Sequence, residues 1–310
     1  MIYDYYMLRP NAEFTGQFLM GIDNVLTWFE SKLDDNGILG KLQFPNYMDA
    51  APGFGPAGSP PTAQKGQSAQ ITMLYAYALD HAAILFDFHK KQYLAQKYRE
   101  LSDSLKSKLY ELCYDKEKEL FAETPEKKAW TQHTNILAVL ADAIPENEQR
   151  DMVLRILGNK ELIPAQIYFS FYLFQAMGKT CLGDLYLENL QPWGRMLNMG
   201  LTTTPERSIE GRSDCHAWSA HPCYFFLAEV CGIKPAEPGF KSVKIEPHLG
   251  RLQNVEASMP HPEGTIEVKF HRLDSNRLKA EIILPEMVSG VLNWQEHSKT
   301  LKGGHQIVEL

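Results

Sequence analysis

The stretch GIKPAEPGFKSVKIE (232–246) marks a change in the pattern of the whole chain. Before it, apolar residues recur at helical spacing, and after it apolar and polar residues alternate as they do in strands. Pro235, Pro238 and Gly239 interrupt both patterns. Because the helices precede the strands instead of alternating with them, the chain is expected to form two domains. We predict a mainly α domain over residues 1–235 and an all-β domain over 236–310.

Eight helices are predicted in the first domain. The first begins at Asn11 and stops at Asn36–Gly37, and the second runs from Ser68 to His89. The others cover 92–113, 131–143, 147–157, 165–178, 182–198 and 216–231. With no convincing strand between them, the helices are expected to pack as antiparallel pairs. The Pro- and Gly-rich segment from Phe44 to Lys65 is long for a loop inside a compact domain, and such loops are usually functional.

The second domain is predicted to be an antiparallel β-sandwich or a small Greek-key unit. Alternating patterns cover 243–246, 265–271 and 278–284, and they continue at 291–294 and 307–310. Gly, Pro and Asn residues punctuate them about every ten positions, which is typical of short strands joined by turns.

Composition excludes several classes of function. The net charge of −7 and the pI near 5.8 argue against nucleic-acid and anionic-membrane partners. We find no apolar run close to the ~18–20 residues that a membrane span needs. The start, MIYDYYMLRPNAEF, has no signal-peptide pattern. The five cysteines lack metal-finger spacing, and although Cys215 and Cys223 flank two histidines, apolar filling is favoured over zinc binding. We predict no metal and no cofactor.

The segment from Gln191 to Gly239 carries the chemistry. It combines Glu206, the histidines His216 and His221 and the tryptophans Trp193 and Trp218 in a loop rich in Gly, Thr and Ser. A sugar ring offers a C–H face that stacks on aromatic rings and a hydroxyl rim that needs donors and acceptors. The loop is therefore a candidate sugar site. The alternative is a helix–loop–helix whose Thr and Ser residues only cap helices.

Several strings resemble family 78 α-L-rhamnosidases. They are PAQIYFSFYLFQAMGK (164–179), PWGRML (192–197), GLTTTPE (200–206), SDCHAWSAHP (213–222), GIKPAEPGF (232–240) and VKIEPHLGRL (243–252). Residues 13–42 and the block WTQHTNILAVLADAIP (130–145) extend the resemblance over nearly the whole chain. It implies an (α/α)6 barrel followed by a C-terminal β-domain, a rhamnose-containing glycan or glycoside as substrate, and inverting hydrolysis of terminal α-L-rhamnosides.

The resemblance also implies roles for single residues. Glu206, in the TT-x-x-E block, falls on the general base, and His216, in the S-x-x-H block, falls on a histidine that binds the sugar near that base. The substrate-binding candidates beside His216 are Trp218, Asp49, His133, Trp130 and Trp193. For Trp193 a role in the core is an equal alternative to substrate binding, and for His133 the equal alternative is a helix-capping role. Glu210 and Asp214 lie close enough in sequence to be mistaken for the base, and a surface charge is the alternative for each. Arg207 is a candidate partner of Glu206 or of a neighbouring acid, although a solvated arginine is the commoner outcome.

The chain departs from the family pattern in three places. We find no upstream motif rich in Asp, Arg, Glu and Trp, which supplies the family's general acid, so the barrel is expected to be an incomplete toroid. Ala50 stands where a tryptophan is expected after Asp49, and nine residues separate Glu206 from His216, a short spacer.

Other interpretations stay open. The chain could be another (α/α)6 carbohydrate enzyme, a glycosidase or a polysaccharide lyase, although the loop around Glu206 is not notably basic, as a lyase would require. It could also be a non-catalytic carbohydrate-binding or structural remnant. An open toroid would expose apolar helix faces, so self-association is a further expectation. The compartment stays open between the cytoplasm, which unpaired cysteines favour, and the periplasm, which the resemblance allows.

Overall fold

The computed structural model describes residues 1–44, 46–55, 58–61, 66–207 and 212–310. The chain divides into two compact units. One, called here the helical unit, comprises residues 17–181 and 196–219. The other, the β unit, comprises 1–16, 182–195 and 220–310. The predicted order, a mainly helical part followed by a β-sandwich, is confirmed.

The helical unit is made of helices joined mostly by short loops. They are α3 (Leu19–Glu30), α4 (Ala69–Phe88), α5 (Gln92–Cys113), α6 (Gln132–Leu140), α7 (Glu146–Gly158) and α8 (Ser170–Lys179). Three residues join α4 to α5, and the two helices run antiparallel: Phe86 stacks on Tyr98 near the loop, and Lys106 reaches Asp80 further along, at 3.4 Å. Helix α6 packs against α4, α7 and α8.

Helix α4 is the central helix of this unit. The Ser68 side chain caps it by accepting from the Ile71 amide at 3.3 Å. Among the described residues it is the one helix long and apolar enough to cross a membrane, whereas the sequence indicated no such run. Of its most apolar window 56% is buried inside the protein, which is the pattern of a core helix.

Two predictions about the helical part are wrong in detail. The helix expected from Asn11 to Asn36 is split into α2 (Ala12–Gly16) and α3, because the helix breaks just after Gly16, a poor helix former. Past α3 the Asp34 carboxylate accepts from the Ile38 amide at 2.8 Å and closes a turn instead. Strands also occur where none was expected, as the two-residue pair β1 (Tyr114–Asp115) and β2 (Leu120–Phe121).

The helices expected at 182–198 and 216–231 are irregular. The first consists of 3₁₀ turns at Gly183–Leu185 and Leu187–Leu190 and then α9 (Gln191–Asn198). The second contains a 3₁₀ turn at Ala217–Ser219, α10 (Pro222–Phe225) and a π-helical turn at Phe226–Val230. Pro222 at the start of α10 explains part of this, since proline favours the first turn of a helix and disfavours its interior.

The β unit contains α1 (Ile2–Leu8), α2, α10 and two four-stranded sheets. The strands are β3 (Ile233–Pro235), β4 (Ser242–Ile245), β5 (Asn254–His261), β6 (Gly264–Arg272), β7 (Leu278–Leu284), β8 (Ser289–Trp294), β9 (His297–Leu301) and β10 (Gly304–Glu309). The sheet orders are β10-β7-β6-β5 and β3-β4-β8-β9. Inward residues of both sheets, among them Ile266, Ile282 and Leu292, form one buried core. This is the packing of a β-sandwich.

One strand pair departs from the predicted antiparallel arrangement. Strands β4 and β8 are parallel, with Val243 opposite Gly290. A Cβ atom at Gly290 would lie 2.3 Å from the Val243 carbonyl oxygen, so only glycine allows this close approach. The pairing joins strands far apart in sequence, which period-two patterning cannot reveal.

Candidate active site

A cavity of about 630 Å³ opens in the helical unit. The described residues that line it are Tyr47, Ala50, Ala51, Phe54, Gly55, Gly58, Glu206, Arg207, Arg212 and Trp218. Its volume lies within the usual range of small-molecule sites. Among these described residues Glu206 is the one carboxylate, and it lies beside aromatic rings and two arginines. A sugar needs this combination of apolar faces and directional polar groups.

The loop that carries Glu206 is held by the segment that follows it. The Glu206 amide donates to the Ser213 carbonyl at 2.8 Å, and the His216 amide donates to the Thr204 carbonyl at 2.6 Å. The Thr204 hydroxyl returns a bond to the His216 carbonyl at 2.8 Å. Thr204, at the first x position of the TT-x-x-E block, therefore fixes the backbone that presents the acid and the histidine.

Glu206 is ionised and almost enclosed. Its side chain is 4% exposed, and its carboxylate accepts from the Arg212 backbone amide at 3.1 Å and from Nε of the same residue at 3.2 Å. Nη2 of Arg212 completes a two-pronged ion pair. The bonds from Arg212 hold the pKa of Glu206 at about 2, far below its ordinary value. The Arg212 side chain is itself 82% exposed.

Trp218 is the centre of an aromatic platform beside Glu206. Its indole Nε1 donates to the Glu206 backbone carbonyl at 3.1 Å. Its ring lies parallel to that of Tyr47, with centroids 6.3 Å apart, and tilted against Tyr168 at 5.0 Å. The His216 ring is 4.8 Å from it. The structure thus places three of the sequence candidates, Glu206, His216 and Trp218, together.

Asp49 and His133 lie behind the cavity wall and not on its surface. Asp49 is 1% exposed and His133 is fully buried, and Oδ2 of Asp49 lies 2.7 Å from Nε2 of His133. Burial is the largest influence on His133 and lowers its pKa, so its imidazole is neutral.

The remaining candidates are placed elsewhere. Trp130 is in the helical unit, with the Lys118 ammonium 4.9 Å from its ring, and it does not line the cavity within the described part of the chain. Trp193 belongs to the β unit, where its ring meets His221 edge-on at 5.1 Å. Asp214 is exposed, and Glu210 lies outside the described residues.

Sequence reasoning missed Tyr47, Tyr168 and Arg212. Tyr47 stands in the Pro/Gly-rich loop that was predicted to be functional, so the loop was the available signal. Arg207 was a candidate partner of Glu206, with a solvated side chain as the favoured alternative, and the ion pair is made by Arg212. Within the residues that the structure describes, no group of three or more His, Cys, Asp or Glu side chains is arranged to hold a metal ion.

Comparison with known families decides the class of the protein. Residues 2–230 match the bacterial alpha-L-rhamnosidase 6 hairpin glycosidase domain, and residues 232–307 match the bacterial alpha-L-rhamnosidase C-terminal domain. The chain belongs to the bacterial α-L-rhamnosidase family. The resemblance drawn from its motifs is confirmed.

Relatives of this rhamnosidase-family chain are longer. An alpha-L-rhamnosidase of Alteromonas sp. (strain LOR) is 27% identical over 180 residues, which cover 51% of this chain and 20% of that protein. The chain thus spans about a fifth of the length of that relative.

Solved rhamnosidases show the same fold over almost the whole chain. The family 78 rhamnosidase of Bacillus sp. GL1 superposes with a TM-score of 0.82 at 21% identity, over 95% of this chain and 32% of its own. The Aspergillus terreus enzyme gives 0.82 at 16% identity, over 100% of this chain and 38% of its own. A Streptomyces avermitilis α-L-rhamnosidase in complex with L-rhamnose gives a TM-score of 0.79 at 15% identity, over 100% of this chain and 32% of its own. The six-hairpin glycosidase fold expected from the sequence is confirmed.

Proposed function

We propose that this chain forms the base side of the active site of an inverting α-L-rhamnosidase that hydrolyses terminal α-L-rhamnosides, with Glu206 as the general base. The observation that supports this most is the ionised Glu206 carboxylate at the wall of a sugar-sized cavity, beside the Trp218 platform. The rhamnose complex of the Streptomyces relative supports the choice of sugar.

The mechanism follows from what inversion requires. A water molecule held by the Glu206 carboxylate gives up a proton to it and attacks the anomeric carbon from the face opposite the leaving oxygen. The apolar face of the sugar stacks on Trp218, and the imidazole of His216 hydrogen-bonds a sugar hydroxyl. The leaving oxygen takes a proton from a second carboxyl group, about 6.5–9.5 Å from the first in such enzymes.

That second group has no candidate in the described cavity wall, where Glu206 is the one carboxylate. We propose that the general acid comes from outside this described wall. A carboxylate with a pKa of about 2 is also a weak proton acceptor, so the bonds from Arg212 have to loosen when substrate binds for Glu206 to act at full strength.

Because the described cavity wall holds no second carboxylate, a second candidate function for the isolated chain is a carbohydrate-binding remnant without turnover. The loss of a general acid typically lowers the rate about 10²–10⁴-fold. Binding of L-rhamnose without hydrolysis would fit this alternative.

The test is hydrolysis of an aryl α-L-rhamnoside, because an aryl leaving group needs little protonation. We expect slow hydrolysis by the chain with β-L-rhamnose as the first product, loss of activity in Glu206→Gln, and no change in the matched control Asp214→Asn, whose carboxylate is exposed. An equal loss in both variants, or none in Glu206→Gln, would refute the assignment of the base. Rhamnose binding by calorimetry without turnover would select the remnant.

A further inference from the structure

The cavity is bordered by a loop, residues 46–55, that contains no helix or strand. This segment, called here the cavity loop, supplies Ala50, Ala51 and Phe54 to the wall. The Met48 and Asp49 amides donate to the Gly58 carbonyl at 2.9 and 3.3 Å, just past the end of the loop, and the Gly55 amide donates to the Ser59 carbonyl at 2.8 Å. Inside the loop the Phe54 amide donates to the Ala51 carbonyl at 3.1 Å. These backbone bonds lie within residues 46–59 and do not tie the loop to the helices, so other contacts have to set its position there.

Asp49 connects the cavity loop to the helices. Its Oδ1 accepts from the Ala50 amide at 2.7 Å, within the loop. Its Oδ2 accepts from Nε2 of His133 at 2.7 Å and from the Gln166 amide at 2.8 Å, both outside the loop. With three donors on a carboxylate that is 1% exposed, Asp49 has its charge satisfied by the protein itself. A sugar hydroxyl would have to displace one of these donors to reach it.

His133 contacts the cavity loop at two points. It stands in the first turn of α6, whose start is fixed by the Thr131 side chain, the acceptor for the Thr134 amide at 3.2 Å. Its ring is packed between Phe54 at 4.8 Å and Phe169 at 4.5 Å. Because the buried imidazole is neutral and Nε2 faces a carboxylate, we assign the proton to Nε2. One side chain therefore holds both Asp49 and Phe54.

We propose that Asp49 and His133 are positioning residues: they fix the cavity loop at the wall before the sugar arrives, and neither touches it. The consequence for sugar binding rests on the proposed function, whereas the attachment of the loop does not. The two side chains were predicted from the sequence to bind substrate, and their burial and mutual pairing favour the indirect role.

The test compares His133→Gln with His133→Phe in the full chain. Glutamine keeps an N–H donor for Asp49, and phenylalanine keeps the ring between Phe54 and Phe169 but has no donor. Amide hydrogen exchange of residues 46–55 is the first measurement, with strand β7 as the internal reference. We expect the loop amides to exchange about tenfold faster in His133→Phe, the effect of a lost hydrogen bond to a charged group, and near the wild-type rate in His133→Gln.

The affinity for L-rhamnose, measured by calorimetry, is the second readout. We expect it to fall about tenfold in His133→Phe and to recover in His133→Gln. A double-mutant cycle distinguishes direct contact of Asp49 with the sugar from positioning through His133. If Asp49 acts through His133, Asp49→Asn causes little further loss of rhamnose affinity in the His133→Phe background.

Either of two results would overturn the proposal. One is loop exchange that is unchanged in His133→Phe. The other is an Asp49→Asn effect on rhamnose affinity that adds in full to that of His133→Phe. If the wild-type chain binds no rhamnose, the proposed function fails, and the exchange data still decide whether Asp49 and His133 hold the loop.

Discussion

Glu123 gives the sharpest prediction about stability. Its side chain is fully buried, and Oε1 accepts from the Thr131 hydroxyl at 2.6 Å and from the Thr134 hydroxyl. Its Oε2 is buried with no hydrogen-bond partner among the described residues. Burial outweighs the two threonine bonds and raises the pKa of Glu123 to about 7. The folded protein thus holds a proton that an unfolded chain releases near pH 4.5.

The sign and size of the effect follow from this difference. Below about pH 4.5 Glu123 is protonated in both states, and its contribution to stability is complete. Between 4.5 and 7 only the folded state keeps the proton, so the free energy of unfolding falls as the pH rises. At about 1.4 kcal/mol per pH unit the loss reaches about 3 kcal/mol by pH 7, and it stays constant above.

Glu123→Gln removes the titration and keeps an oxygen that can accept from the threonines. The measurement is urea unfolding of both proteins between pH 4.5 and 8, with the stability of the variant subtracted from that of the wild type. We expect this difference to fall by about 3 kcal/mol across the range. Between pH 4.5 and pH 8 the wild type therefore loses about 3 kcal/mol of stability more than the variant does.

The control is Glu126→Gln, because Glu126 is exposed and its pKa is lowered, first by a hydrogen bond from Thr124. Its curve should run close to that of the wild type, with the same loss of about 3 kcal/mol between pH 4.5 and 7, because Glu123 is still present. Parallel curves for the wild type and Glu123→Gln would refute the reasoning, since Glu123 would then titrate alike in both states.

Three further predictions concern single side chains. Arg212→Ala should raise the pKa of Glu206 from about 2 toward 4.5. The acid limb of the pH profile, measured for rhamnoside hydrolysis or for rhamnose binding, should then move to higher pH. An acid limb that stays in place would show that Arg212 does not set the pKa of Glu206. Gly232→Ala should destabilise the protein by about 3 kcal/mol or more in urea unfolding, because the new Cβ would meet a backbone oxygen at 2.0 Å in a left-handed conformation. The comparison is Gly21→Ala, which has open space in helix α3 and should stabilise by about 0.5–1 kcal/mol, so similar values for both would contradict the argument. Phe270→Ala should cost about 3–5 kcal/mol in the same assay, because Phe270 is 2% exposed in the sandwich core, and a loss below 1 kcal/mol would place it outside the core.

Much of the fold could be predicted because local patterns suffice for it. The alternation in 265–271 and 278–284 specifies strands β6 and β7, and the apolar spacing in 92–113 specifies α5 to the residue. The irregular helices between 182 and 231 could not be predicted, because the 3₁₀ and π turns are too short for their different periods to show in the apolar spacing. The parallel pairing of β4 with β8 depends on contacts distant in sequence.

Part of the candidate site could likewise be predicted from local sequence, and part of it depends on the tertiary fold. Glu206, His216 and Trp218 lie within thirteen positions of one another, and motif spacing found them. Tyr47 and Tyr168 reach Trp218 only through the tertiary fold. The Pro/Gly-rich loop was the one signal for Tyr47, and nothing in the local sequence of Tyr168 distinguishes it from a core tyrosine. The burial of Asp49 is likewise a tertiary property, since an aspartate in a Pro/Gly-rich loop is most often exposed.

The parallel pairing of β4 with β8 also bears on how the β unit folds. Strands β5, β6 and β7 pair with their sequence neighbours and can form as hairpins. Strand β4 pairs with its neighbour β3 on one edge, but its other edge has to wait for β8, a strand roughly 50 residues away. During synthesis β4 therefore leaves the ribosome well before β8, with the backbone edge that β8 later pairs left open. This interval is when the nascent chain is most exposed to aggregation, and slower translation before β8 would lengthen it.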